Sequence, residues 1–268
     1  MSDPVVALGP SASTPHTHTV VFLHGRGDNA ANFSASLVHW RDSKGRTLAD
    51  AFPSFRWVFP QAPLRQCASD PGQIWHQWFD VWDVRDFSAR EELQAHGLKE
   101  AVPAVLEILN REATTLDGDW KKLILAGISM GAATGVHTLF NLNIPQSGGL
   151  GAFLGFSCRC PFAGRSLHDM RDALGLEGVP THNQVLRDTP VLLEHCIDDP
   201  LVQVVLGRNL RDTLMEFGAR VEWREYQTGG HWFNSPAGMD DVVAFLARQF
   251  SNVPIPGSAQ GSSAMDLD

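Results

Sequence analysis

Thr19-Val20-Val21-Phe22-Leu23 is a nearly unbroken apolar run that stops at Gly25, the reading of a strand buried on both faces. Similar runs recur at 57–59, 123–126, 152–154 and 191–193. Residues 221–226 mix polar and apolar positions in partial alternation, which predicts a strand nearer a sheet edge. Between the runs lie segments of helical period at about 130–142, 204–217 and 237–250, with a longer one starting at Ser88. Ser88 and Glu91 have the spacing of a capping box. The stripe Leu98, Val102, Val105, Leu106 and Leu109 then carries the helix past Pro103, where a bend is expected. Such alternation calls for an α/β fold with a mostly parallel central sheet and helices on both faces. The ends read differently: residues 1–17 and 252–268 are rich in Pro, Ser, Thr and Gly and predict flexible tails around a single domain over 18–251.

Composition narrows the function. Of the 268 residues 43% are hydrophobic and 19% charged, enough apolar material for a packed core and too much for a disordered chain. Thirty acidic against 21 basic side chains leave a net charge of −9, which repels phosphate backbones and disfavours nucleic acid as a partner. Four cysteines make no disulfide framework, and Cys158 and Cys160 stand too close for a zinc pair, so no metal is expected. No run approaches the roughly 18 apolar residues of a membrane span, and the first residues lack a basic region followed by an apolar stretch. The expectation is a soluble cytoplasmic protein; oligomeric state is not legible.

The sharpest chemical signal is Gly127-Ile128-Ser129-Met130-Gly131, set between a strand and a helix rich in small residues. A serine on so tight a turn is lifted above the sheet, and the helix that starts there points unpaired amides at developing negative charge. A serine hydroxyl needs a base and an orienting acid. His231, in Thr228-Gly229-Gly230-His231-Trp232-Phe233, follows the last strand on a glycine-rich loop, whereas His137 on the helix after Ser129 reads as packed or solvated. The acid falls in Asp198-Asp199-Pro200-Leu201-Val202, where residue type alone leaves both carboxylates open. Serine, acid and histidine then follow the chain order of an α/β-hydrolase. His24-Gly25-Arg26-Gly27-Asp28 closes the first strand, and the backbone amides of Arg26 and Met130 are the candidate oxyanion donors. Trp75, Trp78, Phe79 and Trp232 are candidates for an apolar substrate wall.

Residues 21–28, the Gly-Ile-Ser-Met-Gly turn, Asp199-Pro200-Leu201-Val202 and the late Gly-His resemble the acyl-protein thioesterase and carboxylesterase (lysophospholipase-like) family. Pro60-Gln61-Ala62-Pro63-Leu64-Arg65 and Trp78-Phe79-Asp80 add two matching blocks, and the likeness covers roughly 18–250. It implies the α/β-hydrolase fold and a cofactor-independent serine hydrolase acting on small-molecule or acyl-protein esters and thioesters. It also implies Asp199 rather than Asp198 as the acid. Arg26 stands where the family usually has leucine, and Met130 where it often has glutamine. The segment 158–190 exceeds that of compact members and is expected as a cap-like insertion roofing the site through a helix at 167–174. Two other readings share these residues: an acyltransferase or carrier-dependent thioesterase, and a non-catalytic ligand-binding protein of hydrolase fold.

Overall fold

The structure, a computed structural model, describes residues 5–144 and 148–251. In chain order the first elements are β1 (Val5–Leu8), β2 (His18–Leu23), α1 (Ala30–Ser36), α2 (Leu48–Ala51) and β3 (Phe55–Pro60). A short hairpin follows, β4 (Leu64–Gln66) and β5 (Ile74–His76), and then α3 (Glu92–Thr114). The second half runs β6 (Leu123–Ile128), α4 (Met130–Asn141), β7 (Ala152–Phe156), α5 (Leu167–Leu174) and α6 (Gln184–Asp188). It closes with β8 (Pro190–Cys196), α7 (Val204–Glu216), β9 (Arg220–Tyr226) and α8 (Ala237–Gln249).

Seven strands form one sheet in the order β1-β3-β2-β6-β7-β8-β9, all neighbours parallel except the antiparallel β1–β3 pair. Period-2 alternation sorts the strand side chains between two cores. Val21, Leu23, Leu125, Phe153 and Leu193 face a core shared with α3 and α4. Val20, Phe22, Ile124, Leu154 and Leu192 face one shared with α1 and α8. The strands read from the sequence are all present, and β9 lies at the sheet edge as its mixed pattern predicts.

Three expectations change. Residues 5–17 are not a loose tail. β1 pairs with β3 from Val5 opposite Pro60 to Leu8 opposite Trp57, and the Ser11 and Thr17 amides donate to the Pro53 and Ser54 carbonyls. Residues 1–4 and the tail expected from 252 lie outside the described residues. Ser88 does not cap α3: its hydroxyl donates to Asp86 at 2.6 Å, and Glu91 instead accepts from the Phe162 amide and from Arg165. α3 continues through Pro103 to Thr114. Finally, 158–190 does not roof the site: its buried side chains join the core under α3 and α4, while 163–166 face solvent. Cys158, Phe162, Met170, Leu174 and Val185 are buried, and α5 packs on α3 and α4.

Candidate active site

The chain leaves β2 toward β3 and returns on the other side of β2 as β6, so the crevice between the carboxyl ends of β2 and β6 is a topological switch point. The loops after those two strands meet there. Ser129 stands on the turn from β6 into α4 with φ 55° and ψ −122°, a strained conformation for a non-glycine residue costing of order 1–3 kcal/mol. It is held by its amide donating to the Phe156 carbonyl at 2.9 Å and its carbonyl accepting from Ala133 at 3.0 Å. The flanking glycines are required by close approach: a Cβ on Gly127 would lie 2.5 Å from the Ala132 nitrogen, and one on Gly131 would press on the Leu23 and His24 carbonyls.

His24 shapes the facing loop. Its buried ring donates from Nδ1 to the Gly25 carbonyl at 2.7 Å and accepts at Nε2 from the Ala62 amide at 3.1 Å. The β4–β5 hairpin is tied to the same loop, with the Gly27 amide donating to the His76 carbonyl at 2.8 Å. The Arg26 side chain is turned away from the serine, donating to Gln77 at 2.9 Å and to Ser69 at 2.6 Å, with its guanidinium 4.8 Å over Trp75. Among the described residues, neither the Arg26 amide nor the Met130 amide donates to another protein group.

The loops after β8 and β9 supply the other two groups. His231 Nδ1 lies 2.8 Å from Asp199 Oδ2, so the ring donates to the carboxylate and leaves Nε2 free to accept a proton. Asp199 Oδ1 accepts from the Leu201 and Val202 amides at 2.8 and 2.9 Å. Asp198 points elsewhere and accepts from the Gly229 and Gly230 amides. His195, which nothing in its sequence surroundings singles out, is fully buried with Nε2 2.7 Å from the Val202 carbonyl and 3.2 Å from Asp199 Oδ2. Because a carbonyl only accepts, Nε2 carries the proton and His195 is a second donor toward the same carboxylate. Burial alone would raise the Asp199 carboxyl, but hydrogen bonds from His195, His231 and the Val202 amide outweigh it and hold the group well below the usual carboxylate range.

Ser129 and His231 line one cavity of about 580 Å³, and no hydrogen bond joins them among the described residues. Met130, Arg26, Trp75, Phe79 and Trp232 line it too. Trp78 does not: it is buried behind the wall, where its indole N–H donates to the His24 carbonyl at 2.8 Å and so props the loop that carries Arg26. Of residues 158–190 only Arg159 reaches the cavity. His137 is fully buried, donating to the Pro161 carbonyl at 3.2 Å, and burial pulls its imidazole down to about 4.

A parallel sheet with a strained strand-to-helix serine at its switch point, and an aspartate–histidine pair on the loops after its last two strands, defines an α/β-hydrolase. The chain belongs to the phospholipase/carboxylesterase family, whose profile matches residues 8–249, and it is a hydrolase. It is 26% identical over 227 residues to acyl-protein thioesterase 1 of Yarrowia lipolytica, covering 84% of this chain and 88% of that one. It is 27% identical over 244 residues to acyl-protein thioesterase 1 of Gibberella zeae, covering 89% and 93%. The crystal structure of Zea mays acyl-protein thioesterase 2 superposes with a TM-score of 0.70 at 25% identity, over 92% of this chain and 99% of that one. Among the described residues no helix is long and apolar enough to cross a membrane.

Proposed function

We propose that the protein cleaves carboxylic esters or acyl thioesters through a Ser129–His231–Asp199 triad and an acyl-enzyme intermediate. The observation that carries this reading is the His231–Asp199 pair at 2.8 Å opening onto the cavity that also holds the strained Ser129. His231 Nε2 takes the proton of Ser129 as the hydroxyl oxygen attacks the carbonyl carbon, while Asp199 fixes the ring tautomer and offsets its positive charge. The unengaged Arg26 and Met130 amides receive the oxyanion. His231 then gives its proton to the departing alcohol or thiol, and a water deprotonated by the same ring releases the acid. Trp75, Phe79 and Trp232 form apolar wall, whereas Trp78 supports it from behind. Kinship with acyl-protein thioesterases supports an acyl substrate on either sulfur or oxygen. Residues 5–251, with β1 as the outer strand of the sheet, are read as the catalytic unit, working in the cytoplasm.

A fluorophosphonate probe followed by peptide mass spectrometry is expected to label Ser129 alone. Ser129→Ala is expected to abolish labelling and lower kcat on a 4-nitrophenyl ester by about 10⁶. Labelling at another serine, or turnover surviving in Ser129→Ala, overturns the mechanism.

A further inference from the structure

Arg159 is the one residue of the 158–190 segment that enters the cavity, and it does so as a buried cation, only 7% exposed. Its guanidinium lies 3.9 Å over the Phe87 ring and 5.8 Å from that of Phe79, both cavity residues, and Nη2 donates to Gln94 at 2.7 Å. A guanidinium has five N–H donors. Among the described residues no other protein acceptor meets Arg159, and no carboxylate pairs with it. Glu91, whose charge also acts on it, is engaged by Arg165 at 2.9 Å and by the Phe162 amide. The adjacent Cys158 and Cys160 thiols are kept protonated by burial, Cys160 pushed up to about 12, so they supply no counter-charge. Burial draws the guanidinium itself down to about 10, which leaves it cationic at neutral pH.

A buried charge without a counter-ion is costly unless something pairs with it. The rest of the cavity adds to the imbalance: Arg26 and Arg85 also line it, against Asp28 alone among the carboxylates, on a chain whose net charge is −9. The two ends of the cavity also differ. Trp232, beside the base, packs on the core under α1 and α8, whereas Phe79 and Cys158, around Arg159, belong to the core under α3 and α4. A leaving group that takes its proton from His231 lies beside His231, which leaves the rest of the cavity, with Arg159 in its wall, to the acyl group.

Building on the proposed hydrolase mechanism, we infer that the acyl group of the preferred substrate ends in a carboxylate seated on Arg159, making the protein selective for half-esters or half-thioesters of dicarboxylic acids. The planar fork of the guanidinium matches a carboxylate with two parallel hydrogen bonds. A neutral acyl chain reaching the same place would strip water from the cation and return nothing, so charge discriminates where apolar walls discriminate weakly.

The test compares 4-nitrophenyl half-esters of adipic, suberic and sebacic acids with their methyl-capped neutral counterparts, read by 4-nitrophenol release at pH 7. For the best chain length, kcat/KM is expected to favour the free carboxylate by about 10- to 100-fold. In Arg159→Gln that ratio is expected to fall to about one or below, and in Arg159→Lys to an intermediate value. A wild-type ratio of one or less overturns the inference without any variant having to fold, and so does a ratio unchanged in a folded Arg159→Gln. A fourth pair, 3-carboxyphenyl butyrate against phenyl butyrate, carries the charge on the leaving group. A preference there that Arg159→Gln abolishes overturns the placement on the acyl side. If neutral esters turn over and Ser129 is labelled, such failures strike this inference alone; if nothing turns over and Ser129 stays unlabelled, the hydrolase mechanism falls first.

Discussion

Asp198 and Asp199 are chain neighbours with different partners, and their separation is a test of the site at the smallest scale. Asp199 gives one oxygen to His231 and the other to two loop amides, while Asp198 ties down the Gly229 and Gly230 amides just before the histidine. Asn at position 199 would present an N–H to His231 Nδ1, invert the tautomer and block proton uptake at Nε2. Asp199→Asn is therefore expected to lower kcat by about 10⁴, and Asp198→Asn by no more than about tenfold, since an amide oxygen can still accept from the glycines. Steady-state kinetics on one ester decides it, and a reversed order of damage makes Asp198 the acid. The serine and histidine were legible because a glycine frame and a glycine-rich loop mark them locally. Asp199 was separable from Asp198 only through resemblance, because direction of a side chain on a loop leaves no mark on residue type. His195 and Arg159 left no mark either: Arg159 meets Gln94 on α3, 65 residues earlier, and His195 meets the Val202 carbonyl only because the chain after β8 folds back over it.

At the scale of elements, β8 carries the clearest pH-dependent feature. Glu194 is 4% exposed on this strand and, among the described residues, its carboxyl oxygens find no hydrogen-bond partner, while the Tyr226 hydroxyl beside it donates to Asp241 at 2.8 Å. Burial, then the Asp241 charge from α8, raise its carboxyl well above the ordinary 4.5, with Arg224 and Tyr226 on β9 opposing too weakly to reverse it. Below pH 4.5 Glu194 is protonated folded or unfolded and contributes no pH dependence. Above it the unfolded chain releases a proton that the fold retains, so stability falls by up to about 1.4 kcal/mol per pH unit until the folded carboxyl itself ionises. Glu194→Gln removes that loss. Its melting temperature is expected to match wild type near pH 4 and to exceed it increasingly as the pH rises above 4.5, and a gap independent of pH refutes the assignment. Elements as such were mostly legible, because strands buried on both faces read as unbroken apolar runs. The exceptions share a cause. β1, β4 and β5 span three or four residues and exist through pairing with a partner rather than through a pattern of their own, and the capping box at Ser88 yields to the nearer Asp86.

Over the whole molecule, the candidate site spreads from the switch point in the middle of the sheet to its β9 edge, and β1 closes the opposite edge. The site draws on loops after β2, β6, β8 and β9, whereas β1 lies two strands out, covering the far side of β3. Without β1, the β3 backbone from Trp57 to Pro60 would present unpaired N–H and C=O groups along a strand whose side chains are almost wholly buried, a template for pairing with another chain. Deleting residues 1–9 removes that cover without touching any group around Ser129. The truncated protein is expected to melt several degrees lower, since each kcal/mol lost moves a protein of this size by about 2–4 °C. It is also expected to scatter light in a concentration-dependent way, while monomer freshly isolated by gel filtration labels at Ser129 at a rate within about twofold of wild type. Unchanged melting and a stable monomer would mean that β3 tolerates an open edge. A labelling rate that collapses together with the edge would mean that the sheet transmits strain from β3 through β2 to the loop that carries Arg26, coupling the margin of the fold to its centre.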